Sequence, residues 1–180
     1  MSHPDHFALF ALPPRFAIDE TALESAYRAV QSKVHPDRFA AGTAAERRVA
    51  MQWAARANEA YRTLKSPLSR AAYLCERAGV AIDAESNTAM PGPFLVQQME
   101  WREALEDARR SADAKPLAGL AEGTAAERAR VIAAIGEAID RRSDYASAAK
   151  LVRQLMFIEK FGDELRAVDQ VLSHPREASA

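Results

Sequence analysis

Residues 19–37, DETALESAYRAVQSKVHPD, decide the fold because a helical pattern in them runs directly into a proline. Over residues 22–34, apolar residues recur at three- and four-residue steps, the spacing of one helix face. Pro36 favours extended backbone in the residue before it, so the helix is expected to end there. The same apolar spacing resumes over residues 44–64. His35-Pro36-Asp37 is therefore predicted to lie in the loop at the tip of a helical hairpin.

Capping and stop signals divide the front of the chain into four predicted helices. Asp5 is placed to cap a short helix through Phe10, and Asp19 to cap the helix that ends at the tripeptide. A capping box, a proline in a first turn and a glycine at a helix end mark the other boundaries. These residues are Thr43 with Glu46, Ser66-Pro67, and Gly79.

The rear of the chain is predicted to form a separate helical bundle. Residues 80–93 contain two prolines and lose helical periodicity, so we expect the domain boundary there. Short connections between the helices that follow favour antiparallel neighbours and hence a three-helix bundle. Those helices are predicted at residues 94–111, about 116–142, and 145–172. The expected fold is all-α, with a front domain at 1–79, a linker at 80–93 and the bundle at 94–180.

Composition excludes several classes of protein. The 180 residues, 48% of them apolar, can bury a core as one domain or two small ones. No apolar run reaches about 18 residues, so no membrane span is expected. The first residues lack the basic and apolar regions of a signal peptide, so none is expected. Cys75 is the only cysteine, which excludes an intrachain disulfide and favours a reducing, cytoplasmic location.

The formal net charge of −1 conceals an uneven distribution. Residues 1–78 contain 11 Lys and Arg against 8 Asp and Glu, whereas residues 79–180 contain 13 against 17. Neither part has the concentrated basic charge that general nucleic-acid binding requires. A mildly basic front part is instead suited to steering towards an acidic protein surface.

The front of the chain resembles the J-domain of the DnaJ-type co-chaperones, which carry His-Pro-Asp at the tip of a helical hairpin. The matching residues, within about 5–78, are Tyr27 and Arg28 before the tripeptide, Arg38 after it, and Asn58-Glu59-Ala60-Tyr61 with Leu64. The resemblance implies that His35, Pro36 and Asp37 dock on the ATPase domain of a DnaK-type chaperone and speed ATP hydrolysis. The catalytic site would then lie in the partner.

The side chains of the tripeptide are compatible with docking. Asp37 offers two acceptors for a bidentate arginine, His35 can donate and accept, and Pro36 fixes the angle between them. The alternative is that the tripeptide only closes the hairpin, with Asp37 starting the next helix. A second copy, His3-Pro4-Asp5, has no helix before it, and capping by Asp5 explains that copy fully.

Polar residues on the outward side of the preceding helix form a candidate docking stripe beside the tripeptide. They are Arg28, Gln31 and Lys33, with Arg38 beyond the loop. The resemblance implies that they add contacts with the chaperone. The alternative is an ordinary solvated helix face, and the residues alone leave both interpretations open for Gln31 and Lys33.

The first helix of the bundle is predicted to have two apolar faces. At about 100° per residue, one stripe lies within about 40° of a single line and is the expected core face. Its members are Phe94, Trp101, Leu105 and Ala108. Leu95, Val96 and Met99 lie about 100–200° away, where a small bundle should be polar. This second face is either a protein-binding patch or a surface that packs on the front domain or on a second copy.

The second face lies in a segment that is similar to the HscB family of J-domain co-chaperones. Residues 94–103, FLVQQMEWRE, resemble the FLMEQLELRE stretch of that family. Further similar segments lie at residues 10–13, 67–74 and 155–160. The likeness covers nearly the whole chain, with the J-domain first and the bundle second. The cysteine-rich N-terminal extension of the eukaryotic members is not seen here, which points to a bacterial-type member.

This resemblance implies two protein partners, a DnaK-type chaperone called HscA and the iron–sulfur scaffold protein IscU. It implies that the scaffold contacts a set of residues on the bundle. That set is Leu95, Val96, Met99, Glu100, Arg102, Glu103 and Phe157. Val96, Met99 and Trp101 replace Met, Leu and Leu of the family stretch, which keeps the patch apolar but alters its shape. The implied function is a co-chaperone that delivers IscU to HscA and stimulates its ATPase.

No metal, cofactor or intrinsic enzymatic activity is expected. One thiol cannot hold an iron–sulfur cluster, so Cys75 is interpreted as a small buried hydrophobe. Two rival functions remain, a J-domain protein for a different client and a structural helical protein whose tripeptide is incidental. A pull-down with the rear domain separates the first rival, and a chaperone ATPase assay separates the second.

Overall fold

The computed structural model describes residues 5–34, 42–82 and 91–173, and these form helices with short connections. The α-helices within them are α1 (His6–Leu9), α2 (Glu20–Val34), α3 (Ala44–Lys65), α4 (Pro67–Arg77), α5 (Gly92–Ser111), α6 (Lys115–Gly136) and α7 (Tyr145–Ser173). No strand occurs in the described parts of the chain, and the predicted all-α class is confirmed. None of these helices combines the length and apolarity needed to cross a membrane.

The predicted capping signals make the hydrogen bonds expected of them. Asp5 Oδ1 accepts from a backbone N–H of α1 at 2.8 Å, and Thr43 closes a capping box with Glu46 at the start of α3. Ser66 caps α4, whose first residue is a proline. Gly79 ends that helix with a φ of +79°, a conformation that residues with a side chain rarely adopt. Each boundary therefore follows from residues within four positions of it.

The front unit is an antiparallel hairpin of α2 and α3, with α1 packed against α3 and α4 following it. Leu23 of α2 and Leu64 of α3 are buried between the helices, at 1% and 0% exposure. Phe7 and Phe10 bury the short α1 against the same core. The hairpin therefore rests on a packed base, and residues 35–37 fall in its connection, outside the described residues.

The rear unit is the three-helix bundle of α5, α6 and α7. The predicted stripes supply its interior, since Val131, Ile135 and Leu155 are completely buried. Trp101 of α5 stacks on Phe161 of α7, with the ring centroids 5.4 Å apart. The core face predicted for α5 is thus its observed core face.

One difference from the predicted helices lies at the end of α6. The apolar pattern predicts a continuous helix to about residue 142, whereas α6 ends at Gly136 and is followed by a π-helical turn, Glu137–Arg141. In that turn Asp140 accepts from the backbone N–H groups of Phe16 and Ala17, at 2.7 and 2.8 Å. The π turn lies where the rear unit contacts the front unit. The apolar spacing of the helix carries no information about that long-range contact and therefore did not predict the turn.

The front unit and the bundle pack directly against each other, chiefly through α4 and α7. Cys75 Sγ of α4 lies 3.7 Å from the carbonyl oxygen of Tyr145. Arg153 of α7, only 7% exposed, donates from Nη1 to the carbonyl oxygen of Ile82 at 2.9 Å. The buried apolar core is continuous across this contact.

Candidate protein-binding surfaces

The outward face of α2 presents three of the four predicted stripe residues to solvent. Arg28, Gln31 and Lys33 are all exposed on this helix. Arg28 Nη2 pairs with Glu24 Oε1 at 2.5 Å, one helical turn earlier. That hydrogen bond and charge lower the pKa of Glu24 and raise the pKa of Arg28. Arg28 is therefore accessible, and a partner carboxylate would compete with Glu24 for it.

Gln31 has a structural role as well as an exposed position. Its Nε2 donates to the Tyr27 hydroxyl at 2.5 Å, and that hydroxyl donates to Asn58 Oδ1 on α3 at 2.7 Å. The Tyr27 ring also stacks on Tyr61, with centroids 4.1 Å apart. This cluster joins the middle of α2 to the C-terminal half of α3. Tyr27, Asn58 and Tyr61 are among the residues that matched the J-domain pattern, and here they hold the hairpin together.

The tripeptide His35-Pro36-Asp37 and Arg38 lie outside the described residues. The structure describes the helices on either side of them, since α2 ends at Val34 and α3 begins at Ala44. The connection between two packed antiparallel helices is where a rigid scaffold commonly displays recognition residues.

Asp5 of the other copy of the tripeptide has its own contacts. It caps α1 and pairs with Arg77 of α4 at 3.1 Å between Oδ2 and Nη2. The neighbouring His6 ring stacks on Tyr73, with centroids 4.4 Å apart. Burial lowers the pKa of His6 from its ordinary value of 6.5. His3 and Pro4 of this copy lie outside the described residues, and Asp5 serves the packing of α1.

The second face of α5 is an exposed apolar patch, called here the α5 patch and defined by Leu95, Val96 and Met99. These side chains are 44%, 56% and 70% exposed, whereas Phe94 and Trp101 on the core face are 5% and 7% exposed. No described part of this chain therefore covers the patch. Of the alternatives open from the sequence, packing on the front domain is excluded for the described residues.

Aromatic and charged side chains border the α5 patch. Phe157 of α7 is half-buried, packs edge-on against Phe94 at 5.9 Å, and lies parallel to Phe161 at 6.3 Å between centroids. The guanidinium carbon of Arg102 lies 5.5 Å from the centre of the Phe157 ring. Phe157 of α7 and Arg102 of α5 therefore lie next to each other, so residues of both helices contribute to one surface. The remaining two predicted contact residues, Glu100 and Glu103, are exposed on α5.

A cleft of about 590 Å³ opens beside the α5 patch, and sequence reasoning did not identify it. Val96 and Glu100 line it from α5, Glu127 and Arg130 from α6, and Leu151 and Gln154 from α7. Two consecutive polar residues, Arg153 and Gln154, lie between apolar residues of α7 and are both buried. Because polar residues between apolar ones are ordinary on an amphipathic helix, the sequence alone contained no signal for this cleft.

Cys75 is completely buried between the two units. Burial raises the pKa of its thiol to about 11, so the sulfur stays protonated near neutral pH. Its interpretation as a small buried hydrophobe is confirmed. In the described parts of the chain, no three His, Cys, Asp or Glu side chains gather closely enough to hold a metal ion.

Comparison with known proteins gives one consistent family. A family model described as the HSCB C-terminal oligomerisation domain matches residues 90–166. The co-chaperone protein HscB homologue of Bordetella avium is 57% identical over 168 residues, covering 93% of this chain and 99% of its own. That of Burkholderia thailandensis is 53% identical over 169 residues, covering 94% and 96%.

Solved structures give the same result. The chaperone HscB from Vibrio cholerae superposes with a TM-score of 0.81 at 36% identity, covering 94% of this chain and 99% of its own. Human co-chaperone protein HscB superposes with a TM-score of 0.85 at 24% identity, covering 91% and 81%, which supports the fold alone. Sequence and fold therefore agree over nearly the whole length of the chain.

Proposed function

This chain belongs to the HscB family of co-chaperones, and from that premise we propose that it couples a client scaffold to a DnaK-type ATPase. The chaperone would be HscA and the client the scaffold protein IscU, as the sequence resemblance implies, in the assembly of iron–sulfur clusters. The chain would stimulate ATP hydrolysis by the chaperone while presenting the scaffold to it. It would act by binding, and the ATPase chemistry would belong to its partner.

The exposed α5 patch is the observation that carries this proposal. Burying a large apolar side chain is worth about 1.5–3 kcal/mol, and here three such side chains on one helix face remain in water. Charged residues surround them, including Glu100, Arg102 and Glu103. An apolar centre with a polar rim is typical of a protein-binding surface. We propose that IscU binds there, with Phe157 completing the surface.

The hairpin supplies the second half of the proposal. We propose that His35, Pro36 and Asp37 contact the chaperone ATPase domain, flanked by Arg28, Gln31, Lys33 and Arg38. The packed frame supports this, since the cluster of Tyr27, Asn58 and Tyr61 fixes α2 against α3. A loop on a fixed frame loses less entropy on binding than a free peptide does.

Joining the two surfaces in one chain gives the proposed coupling its physical basis. A scaffold held on the α5 patch reaches the chaperone at an effective concentration set by the co-chaperone itself. Because the front unit packs directly on the bundle, the distance and angle between the two proposed binding surfaces are restricted as well. The division at residues 1–79, 80–93 and 94–180, and a cytoplasmic location, are part of the same proposal.

The direct experiment measures the steady-state ATPase rate of HscA with this protein, with IscU, and with both. We expect stimulation by this protein alone and a further increase with both, because each partner would occupy its own surface. A rate that this protein leaves unchanged would reject the proposal. Stimulation that IscU never increases would instead indicate a J-domain protein serving a different client.

A further inference from the structure

The cleft beside the α5 patch is lined by the side-chain amide of Gln154, which is open to solvent there. Gln154 is 6% exposed, yet its side chain makes no hydrogen bond within the described part of the chain. The amide nitrogen and oxygen are not sealed inside the protein, so water meets them in the cleft when no other group is bound. Gln154 lines the cleft, and a group entering the cleft could satisfy its amide.

The charges that line the cleft favour a cation. Glu127, 9% exposed, binds Arg130 through two hydrogen bonds of 2.8 and 2.5 Å, and this bidentate pairing balances both charges. Glu100 is the remaining charged residue of the lining, so two carboxylates face one guanidinium. The cleft therefore carries a net charge of −1 from its described lining residues.

The shape of the lining fits a long side chain. Phe94 and Leu151 contribute apolar walls, and the amide of Gln154 and the carboxylate of Glu100 contribute acceptors. The aliphatic stem of an arginine or lysine can pack on apolar walls while its charged end reaches such acceptors. The volume of the cleft leaves room for that side chain together with water.

We propose that this cleft receives a basic side chain, arginine or lysine, of the scaffold protein that binds on the adjoining α5 patch. The inference rests on the proposed function, because Val96 and Glu100 line the cleft and also belong to the predicted scaffold-binding set. The patch supplies apolar contact area, and the cleft selects a partner that carries a cation at the right place. Gln154 is then a specificity-determining residue that contacts the partner directly.

Charge substitutions at Gln154 test whether the group that enters the cleft is positively charged. Gln154→Glu is nearly isosteric, and we expect it to tighten IscU binding about threefold to tenfold, because a charge-assisted bond replaces a neutral one. Gln154→Lys places a cation where the cleft would receive one, and we expect binding at least about tenfold weaker. Gln170→Glu and Gln170→Lys, on the exposed end of α7, make the same charge changes outside the cleft and should leave affinity unchanged.

Titration calorimetry with IscU, together with a thermal melt of each variant, gives the affinities. In the wild-type chain, the side-chain NH₂ resonances of Gln154 should also shift when IscU is added, a readout that needs no substitution. Tighter binding by Gln154→Lys than by Gln154→Glu would overturn the proposal and indicate an anionic occupant. Unchanged affinities, with the Gln154 resonances unmoved, would overturn it as well.

A matched variant separates this proposal from the function it rests on. Met99→Ala on the α5 patch should weaken IscU binding whatever happens in the cleft. If the wild-type chain does not bind IscU, or if Met99→Ala binds like wild type, both proposals fail at the patch. If Met99→Ala weakens binding while Gln154→Glu and Gln154→Lys bind alike, only the inference about the cleft fails.

Discussion

At the scale of single residues, His6 shows how a buried ring ties the first helix to the fold. Its ring stacks on Tyr73 of α4, and its backbone N–H donates to the Tyr73 hydroxyl at 3.1 Å. Burial is the largest cause of its lowered pKa, and the nearby charge of Arg56 acts in the same direction. The folded chain therefore favours the neutral imidazole.

This lowered pKa predicts a loss of stability on mild acidification. The unfolded chain takes up a proton at His6 near its ordinary pKa of 6.5, whereas the folded chain resists it until a lower pH. The stabilisation is thus complete above about pH 6.5 and is lost as the pH falls through the folded value. We expect the melting temperature of wild type to fall more than that of His6→Gln between about pH 7.5 and pH 5.5.

Two features of the design isolate the effect of His6. The described carboxyl groups with lowered pKa are Glu24, Glu46 and Asp144, whose ordinary values of 4.5, 4.5 and 3.8 place their contributions at lower pH. His3→Gln is the matched control, since it makes the same substitution nearby. Equal acid sensitivity in wild type and His6→Gln would contradict the prediction.

Some residues were predictable from sequence because their partners are close along the chain. Asp5, Thr43 and Gly79 act on backbone groups within four residues, so local pattern was sufficient. Asp140 accepts from a residue 124 positions away, and Gln154 lines a cleft between three helices, so both surroundings depend on which elements pack together. No local rule contains that information.

At the scale of elements, α5 is a helix with two apolar faces, one buried in the bundle and one exposed. Its periodicity correctly separated the buried stripe from the exposed face, because a helix in a small bundle can bury only one side. The sequence could not decide whether another part of the chain covered the second face. Exposures of 44–70% at Leu95, Val96 and Met99 decide that question for the described residues.

The two faces should respond differently to alanine substitution. Met99→Ala, on the exposed face, should weaken IscU binding about tenfold, as hot-spot truncation commonly does, and leave the thermal melt unchanged. Leu105→Ala, on the core face at 2% exposure, should cost about 2–5 kcal/mol of folding free energy. Titration calorimetry and thermal melts measure the two effects.

The triple variant of Leu95, Val96 and Met99 to alanine extends this test to the whole patch. It should lose scaffold binding by less than the sum of its single changes, because hot-spot losses are not additive. A melt many degrees lower than wild type would show that the patch is buried in solution. The scaffold-binding surface would then have to lie elsewhere.

At the scale of the whole molecule, polar contacts over long sequence distances fix the front unit on the bundle. Asp140 of the π turn accepts from two backbone N–H groups of the segment between α1 and α2. Arg70 of α4, 6% exposed, lies with its guanidinium carbon 5.1 Å from the centre of the Phe16 ring. A Cβ at Gly136 would lie 3.3 Å from that same ring, so glycine permits the close approach.

Removing the Asp140 carboxylate should loosen this contact. In Asp140→Asn, an NH₂ group replaces one carboxylate oxygen, so one of the two backbone N–H groups loses its acceptor. Hydrogen bonds to a charged group are worth about 1.5–3 kcal/mol. Since Asp140 is partly exposed, we expect a loss of about 1–2 kcal/mol in the free energy of unfolding by urea. Asp163→Asn, on the exposed surface of α7, is the control and should change stability little. Equal stabilities would show that Asp140 does not hold the two units together.

We propose that residues 35–37 activate the chaperone while the bundle holds its client, and the ATPase rate of HscA is the measurement that decides this. Asp37→Asn should abolish stimulation, with and without IscU, while its circular dichroism and its affinity for IscU stay at wild-type values. His3→Gln, in the other copy of the tripeptide, should stimulate like wild type. Full stimulation by Asp37→Asn, or loss of stimulation in His3→Gln, would show that residues 35–37 do not activate the chaperone.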